Sequence, residues 1–298
     1  MPPHHLHLGR RAYVRGCAVP TSPERAPDLD DVLVRNNVKV LGPQDAPVLL
    51  LVHGFGCDQS MYGRLLPFLR EGDMFRIVMF DHVGAGGSDL DSYDPVAYGT
   101  LDRYVADLLE VCEALDLKDV TVVAHSIGAM MAITAAVERP DLLARMVLLA
   151  PSPSYLDDNA AGYVGGMSRP DVEDLLDSLD DNHMAWASAM APVVMGNAES
   201  PELAGELEDS FCRVDPRVMR TFARVTFLSD VRDLLPAVTV PSLIVQCSSD
   251  ALAPLSVGEY LHAQLPGSEL VVLDATGHVP QVSAPAETAR VLLSYAAT

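Results

Sequence analysis

The chain has 298 residues, 49% of them hydrophobic, which is ample for the packed core of one large domain or two small ones and excludes a disordered protein. Acidic side chains outnumber basic ones by 41 to 20, giving a net charge of -21. Such a surface repels phosphate backbones and anionic lipid alike, so neither nucleic acid nor a membrane is expected as a partner.

From Met1 to about Asp31 the sequence is rich in Pro and Arg and has no apolar period, so residues 1–31 read as a flexible extension. Its His4, His5 and His7 precede Arg10 and Arg11, with no apolar stretch long enough for a signal peptide or a membrane span. No carboxylate or cysteine accompanies that histidine cluster, and no metal site is expected there. The five cysteines, Cys17, Cys57, Cys112, Cys212 and Cys247, are scattered and never form a C-x-x-C pair, which points to thiols in a reducing cytoplasm.

Beyond the extension, Val32, Val34, Val38 and Val40 alternate as in a half-buried strand, and Val48 to Val52 is a continuous apolar run of the kind buried on both faces of a parallel sheet. A strand at Arg76 to Phe80 follows. Leu101, Tyr104, Val105, Leu108, Cys112 and Leu115 then recur at helical spacing before a strand from Val120 to Ala124. An Ala- and Met-rich helix from Ile127 to Glu138 and a strand from Met146 to Leu149 continue a βαβ series.

Between Pro151 and Pro236 the strand signal stops, and Ser168, Ser200 and Asp215 each stand just before a helix-starting proline at Pro170, Pro201 and Pro216. Strands resume at Ser242 to Cys247 and Glu269 to Leu273, with helices near Ser256 to Gln264 and Ala286 to Tyr295. The pattern predicts an α/β fold with a mostly parallel central sheet, a core of residues 32–150 and 237–298, and a helical insertion over 151–236.

Ala124-His125-Ser126-Ile127-Gly128 lies between a buried strand and an Ala-rich helix, the context that puts a serine on a sharp turn at the C-terminal edge of a sheet. Ala124 replaces the first glycine of the usual G-x-S-x-G pattern, a change of one methyl. A serine hydroxyl needs a base to take its proton. His278, in a Gly-His turn between the last strand and the last helix, stands in the right place. Asp250 follows the strand ending at Cys247 and is placed to orient the imidazole, giving the chain order Ser, Asp, His. Asp274 is too close to His278 in sequence, and Asp230 falls in the insertion.

His53-Gly54-Phe55-Gly56 closes the first parallel strand and can aim the Phe55 amide, beside that of Ile127, at a developing oxyanion. His53 is expected to shape the loop. Asp81 to Ser88 carries Gly84, Gly86 and Gly87 but matches no phosphate-binding pattern, so it reads as a structural turn.

With these residues placed, the chain resembles the RsbQ-like α/β-hydrolases, a small-lid family that includes a bacterial stress-signalling regulator and the plant strigolactone and karrikin receptors. The likeness runs from about Val34 to the C-terminus and includes GFGCDQ at residues 54–59, Phe80 to Asp89, DLLEVCEALDLK at residues 107–118, and Val240 to Ser242. The resemblance implies the α/β-hydrolase fold with a four-helix, V-shaped lid over a closed apolar cavity. It implies that Phe55, Trp186, Met190, Phe211 and Phe227 face that cavity and select a compact hydrophobic ligand. Met190 stands where the plant receptors have an aromatic, so a differently shaped ligand is expected.

Two functions fit this reading. One is a serine hydrolase that cleaves a small hydrophobic ester or lactone through an acyl-enzyme, with no metal or cofactor. The other is a ligand-binding signalling module with little turnover, in which the occupied lid acts on a regulatory partner of phosphatase type. A lyase or cofactor-free oxygenase on the same fold is a third, remoter reading.

Overall fold

The computed structural model describes residues 29–297, so the histidine cluster, Arg10, Arg11, Cys17 and most of the expected extension lie outside the described residues. The helix α1 spans Leu29–Arg35, and the strands β1 and β2 span Lys39–Leu41 and Val48–Val52. The elements α2 (Leu66–Leu69), β3 (Arg76–Met79), α3 (Leu101–Ala114), β4 (Val120–His125), α4 (Ile127–Glu138) and β5 (Leu143–Leu149) follow. Four helices come next: α5 (Arg169–Asp181), α6 (His183–Met195), α7 (Pro201–Arg213) and α8 (Pro216–Leu228). The chain closes with β6 (Ser242–Ser249), α9 (Leu255–Gln264), β7 (Ser268–Thr276), α10 (Pro280–Ser283) and α11 (Pro285–Ala296).

The seven strands form one sheet in the order β1-β3-β2-β4-β5-β6-β7. Only β1 runs antiparallel to its neighbour. Side chains alternate across the sheet as the pleat requires. Leu50, Val52, Val78, Val122 and Ala124 join the core on one face, and Leu49, Leu51, Ile77 and Val123 join the core on the other. All five residues of β2 and all six of β4 are buried, the signature of strands covered by helices on both sides. This is the α/β-hydrolase fold.

Two sequence expectations fail at the N-terminal edge. Val32 and Val34 belong to α1, not to a strand, and α1 begins at Leu29, inside the expected extension. Val32 is fully buried while Val34 is exposed, the contrast a helix produces between residues two apart, which a strand would place on the same face. What fixes α1 is an ion-pair network with α3: Arg35 reaches the buried Asp107 at 2.8 Å and Glu110 at 2.5 Å, and Arg103 binds the same two carboxylates.

The segment between β5 and β6 holds the four helices α5 to α8 and, among the described residues, three isolated bridges, including Ser154 with Asp230. Ser168 and Asp171 close a capping box at the start of α5, and Asp215 caps α8. No proline marks the start of α6. Asn182 caps it instead, accepting from the Ala185 amide. Short capped helices of this kind are held by their buried faces, here Trp186, Ala187, Ala191, Val194 and Met195 on α6 and Val218, Met219, Phe222 and Phe227 on α8.

Candidate active site

The C-terminal ends of β2, β4, β6 and β7 meet at one edge of the sheet, and each delivers a predicted residue. Ser126 sits between β4 and α4 with φ 56 and ψ -123, a backbone conformation costly for a non-glycine residue and held by its surroundings. Its amide donates to Leu149 O at 3.0 Å. The tight crossing of α4 over β2 explains Gly128, because a Cβ there would lie 2.9 Å from Val52 O. Ala124 is fully buried in β4, where the extra methyl is absorbed by the core.

Ser126 Oγ lies 2.8 Å from His278 Nε2, and His278 Nδ1 lies 2.7 Å from Asp250 Oδ2. Asp250 Oδ1 accepts from the amides of Leu252 at 2.8 Å and Ala253 at 3.1 Å. Burial works to raise the Asp250 carboxyl, but the charge and hydrogen bond of His278 and the two amides outweigh it and hold the group below the usual carboxylate range. An ionised Asp250 fixes the proton on Nδ1 of His278. Nε2 is then an acceptor, and the Ser126 hydroxyl donates to it. Asp230 is engaged elsewhere, with Arg232, and Asp274 lies within β7.

One neighbour of Ser126 has no signal in the sequence. The Tyr155 hydroxyl lies 2.9 Å from Ser126 Oγ, and since the Ser126 proton points at His278, Tyr155 is the donor of this bond. Burial pushes its phenol upward, so it stays protonated. Tyr155 comes from the loop after β5, the strand that lies beside β4 in the sheet.

The loop after β2 packs directly on the serine turn: a Cβ on Gly54 would stand 2.5 Å from His125 Nδ1 and 3.1 Å from Ser126 Cβ. This contact sets Phe55 beside Ser126, while Ile127 opens α4 as the next residue in the chain. His53 lies behind the loop. It donates from Nδ1 to Gly54 O and accepts at Nε2 from the His82 amide, at 3.0 Å each. His82 returns a bond from Nε2 to His53 O at 2.9 Å. In the Asp81 to Ser88 turn, Asp81 accepts from the Gln59 and Gly87 amides and from Asn37 Nδ2.

Burial lowers the pKa of His53, drives that of His82 well down, and takes His125 to about 3. These rings stay neutral in the fold at pH values where an unfolded chain protonates its histidines. The unfolded state then binds more protons, so stability falls as pH drops below about 6.5. By pH 5 the loss from a ring such as His125 is about 2 kcal/mol, and surface carboxylates have yet to titrate. A melting temperature that falls clearly between pH 7 and pH 5 is expected from a calorimetric pH series; a flat or rising profile contradicts it.

Phe55, Trp186, Met190, Phe211 and Phe227 come together with Ser126 and His278 around one cavity of about 30 Å³. The Phe55 ring packs against Trp186, Phe211, Phe222 and Phe227 with centroids 5.7 to 6.2 Å apart. Ligand cavities usually run to hundreds of cubic ångströms, so this one is closed down around its aromatic lining. Outside it, a groove of about 450 Å³ between α7 and the core shares Cys57, Leu207 and Val279 with the cavity wall.

Comparison with known proteins agrees with this architecture. A model described as "Alpha/beta hydrolase family" matches residues 49–291. A probable esterase of Oryza sativa subsp. japonica is 38% identical over 261 residues, covering 87% of this chain and 95% of the rice protein. The Karrikin insensitive 2 receptor CA of Petunia hybrida is 36% identical over 261 residues, covering 87% of this chain and 95% of its own. Among solved structures, a hydrolase from Oleispira antarctica superposes with a TM-score of 0.87 at 38% identity, over 91% of this chain and 98% of that one. Among the described residues no helix is long and apolar enough to cross a membrane.

Proposed function

The chain belongs to the alpha/beta hydrolase family, and on that premise we propose that it is a serine hydrolase that opens a small hydrophobic ester or lactone through an acyl-enzyme on Ser126. The observation that carries this reading is the continuous hydrogen-bond chain from Asp250 through His278 to Ser126. His278 takes the hydroxyl proton as Ser126 Oγ bonds to the scissile carbonyl carbon, and then gives that proton to the departing alkoxide. The Phe55 and Ile127 amides stabilise the tetrahedral oxyanion, reinforced by the N-terminal end of α4. Water, activated by the same imidazole, releases the acid. These steps need neither a metal nor a cofactor.

Residues 151–236 act in this reading as a lid over a core of residues 32–150 and 237–298. A cavity of about 30 Å³ is too small for even a compact ester, so binding must displace the lid. The thin wall of Cys57, Leu207 and Val279 that separates it from the outer groove is the natural place to part. The cytoplasm suits its unpaired thiols, Cys57, Cys112, Cys212 and Cys247.

The same closure supports a second role. A ligand that enters only by moving the lid changes the surface that a partner sees, which is the physical requirement of a signalling module. Turnover then serves an RsbQ-like switch that acts on a regulatory protein of phosphatase type.

Rapid-mixing kinetics with short-chain aryl esters tests the hydrolase reading. A burst of phenol approaching one equivalent per chain, followed by a slower steady rate, is expected. Neither burst nor turnover across acyl chains of two to six carbons would refute it. For the signalling role, capture from native cells should recover a partner whose binding changes when Ser126 carries a phosphonate; identical recovery in both states would sink it.

A further inference from the structure

Three residues of the cavity wall carry a buried polar atom without a hydrogen-bond partner; His125 Nδ1 packs against Gly54, and the other two are left without use by the proposed reaction. Trp186 Nε1 on α6 and Thr226 Oγ1 on α8 are both buried, and neither meets a hydrogen-bond partner in the protein. Both residues line the cavity. For Thr226 the missing bond is unusual within this molecule. A helical threonine ordinarily returns its hydroxyl to the carbonyl four residues back, as Thr134 does to Met130 O, Thr221 to Arg217 O and Thr288 to Ala284 O. Thr226 has no such bond to Phe222 O.

Both residues belong to the lining around the Phe55 ring. The Phe55 ring touches Trp186 on one side of the lining and, on α8, Phe222 and Phe227, the residues one turn before and one position after Thr226. An indole N–H and a hydroxyl buried in an aromatic lining are costly to leave unmet. Each can donate to an oxygen.

We propose that Trp186 and Thr226 form a polar subsite that holds a second oxygen of the ligand, apart from the scissile carbonyl. The cavity thereby selects compact esters or lactones bearing a ring-ether, carbonyl or hydroxyl oxygen over purely hydrocarbon ones. This deepens the hydrolase reading and rests on it for the site, but it is tested by binding.

The experiment uses the full chain carrying Ser126→Ala and a matched pair of ligands, methyl tetrahydrofuran-3-carboxylate and methyl cyclopentanecarboxylate, which exchange one ring oxygen for one methylene. Trp186 is the single tryptophan of the chain, so its emission reports on the subsite directly. The oxygenated ester is expected to shift that emission and to bind about fivefold more tightly. Adding Thr226→Val, which removes the hydroxyl but keeps the shape, should bring the two affinities to near parity without lowering the melting temperature. Trp186→Phe, read by calorimetry, should do the same.

Equal affinity for the two esters, failure of both to bind, or a Thr226→Val effect that weakens both alike would overturn the subsite. Hydrolysis of the same pair by the unsubstituted chain separates the two ideas. Turnover of both esters without preference removes the subsite and keeps the hydrolase, whereas selective binding without any turnover removes the hydrolase and keeps the subsite.

Discussion

Replacing Ser126 by alanine is expected to lower kcat for short aryl esters by about a million-fold, while the fold and the melting temperature stay close to those of the parent chain. In the proposed reaction the substitution deletes the one atom that bonds to the acyl group. It leaves the backbone turn in place, since alanine meets the same cost at φ 56 and the core contacts of α4 are untouched. No neighbour can take over. Cys57 lines the same cavity, but burial pushes its thiol up to about 12, so it remains protonated and a poor nucleophile. Steady-state rates on purified chain check this, with circular dichroism as the control for folding. Turnover within tenfold of the parent would move the nucleophile elsewhere.

Asp250→Asn should cost about 10⁴-fold in kcat with little change in KM. The direction follows from the hydrogen bonds at the carboxyl. Its Oδ1 faces two backbone donors, Leu252 N and Ala253 N, and Oδ2 faces His278 Nδ1. An asparagine must give its oxygen to the two amides and therefore presents its NH₂ to Nδ1. The imidazole responds by moving its proton to Nε2, where it can no longer accept from Ser126. The base is then in the wrong tautomer although every heavy atom keeps its place. A loss of less than tenfold would mean that Asp250 does not orient His278.

Much of this site was legible in the sequence because its logic is local. Ser126 is spelled by a buried strand, a turn of small residues and an Ala-rich helix that follow one another directly, and the strand that ends near Cys247 points to Asp250 in the same way. Gly277-His278 marks a turn between the last long strand and the last long helix. These are short-range patterns. Tyr155 had no such pattern, since it stands in an aperiodic stretch after β5 and meets Ser126 only through the tertiary fold. The unpartnered hydroxyl of Thr226 was hidden for the same reason, because a sequence does not tell which helical threonine will fail to bond its own backbone.

The fold was misread where two periods coincide. Val32, Val34, Val38 and Val40 suit a two-residue repeat, but the first two fall in α1 and only Lys39 to Leu41 forms β1. A run of four valines across a helix, a turn and a three-residue strand cannot be parsed by periodicity. The start of α6 escaped because Asn182 caps it without a following proline, whereas α5, α7 and α8 each carry a proline in their first turn.

Reaction of the purified chain with a serine-directed fluorophosphonate, followed by intact mass measurement and peptide mapping, identifies the nucleophile. One adduct per chain is expected, mapped to Ser126, absent from Ser126→Ala and formed far more slowly by His278→Ala. A parent chain that stays unmodified, or an adduct on any other residue, would contradict the assignment of Ser126.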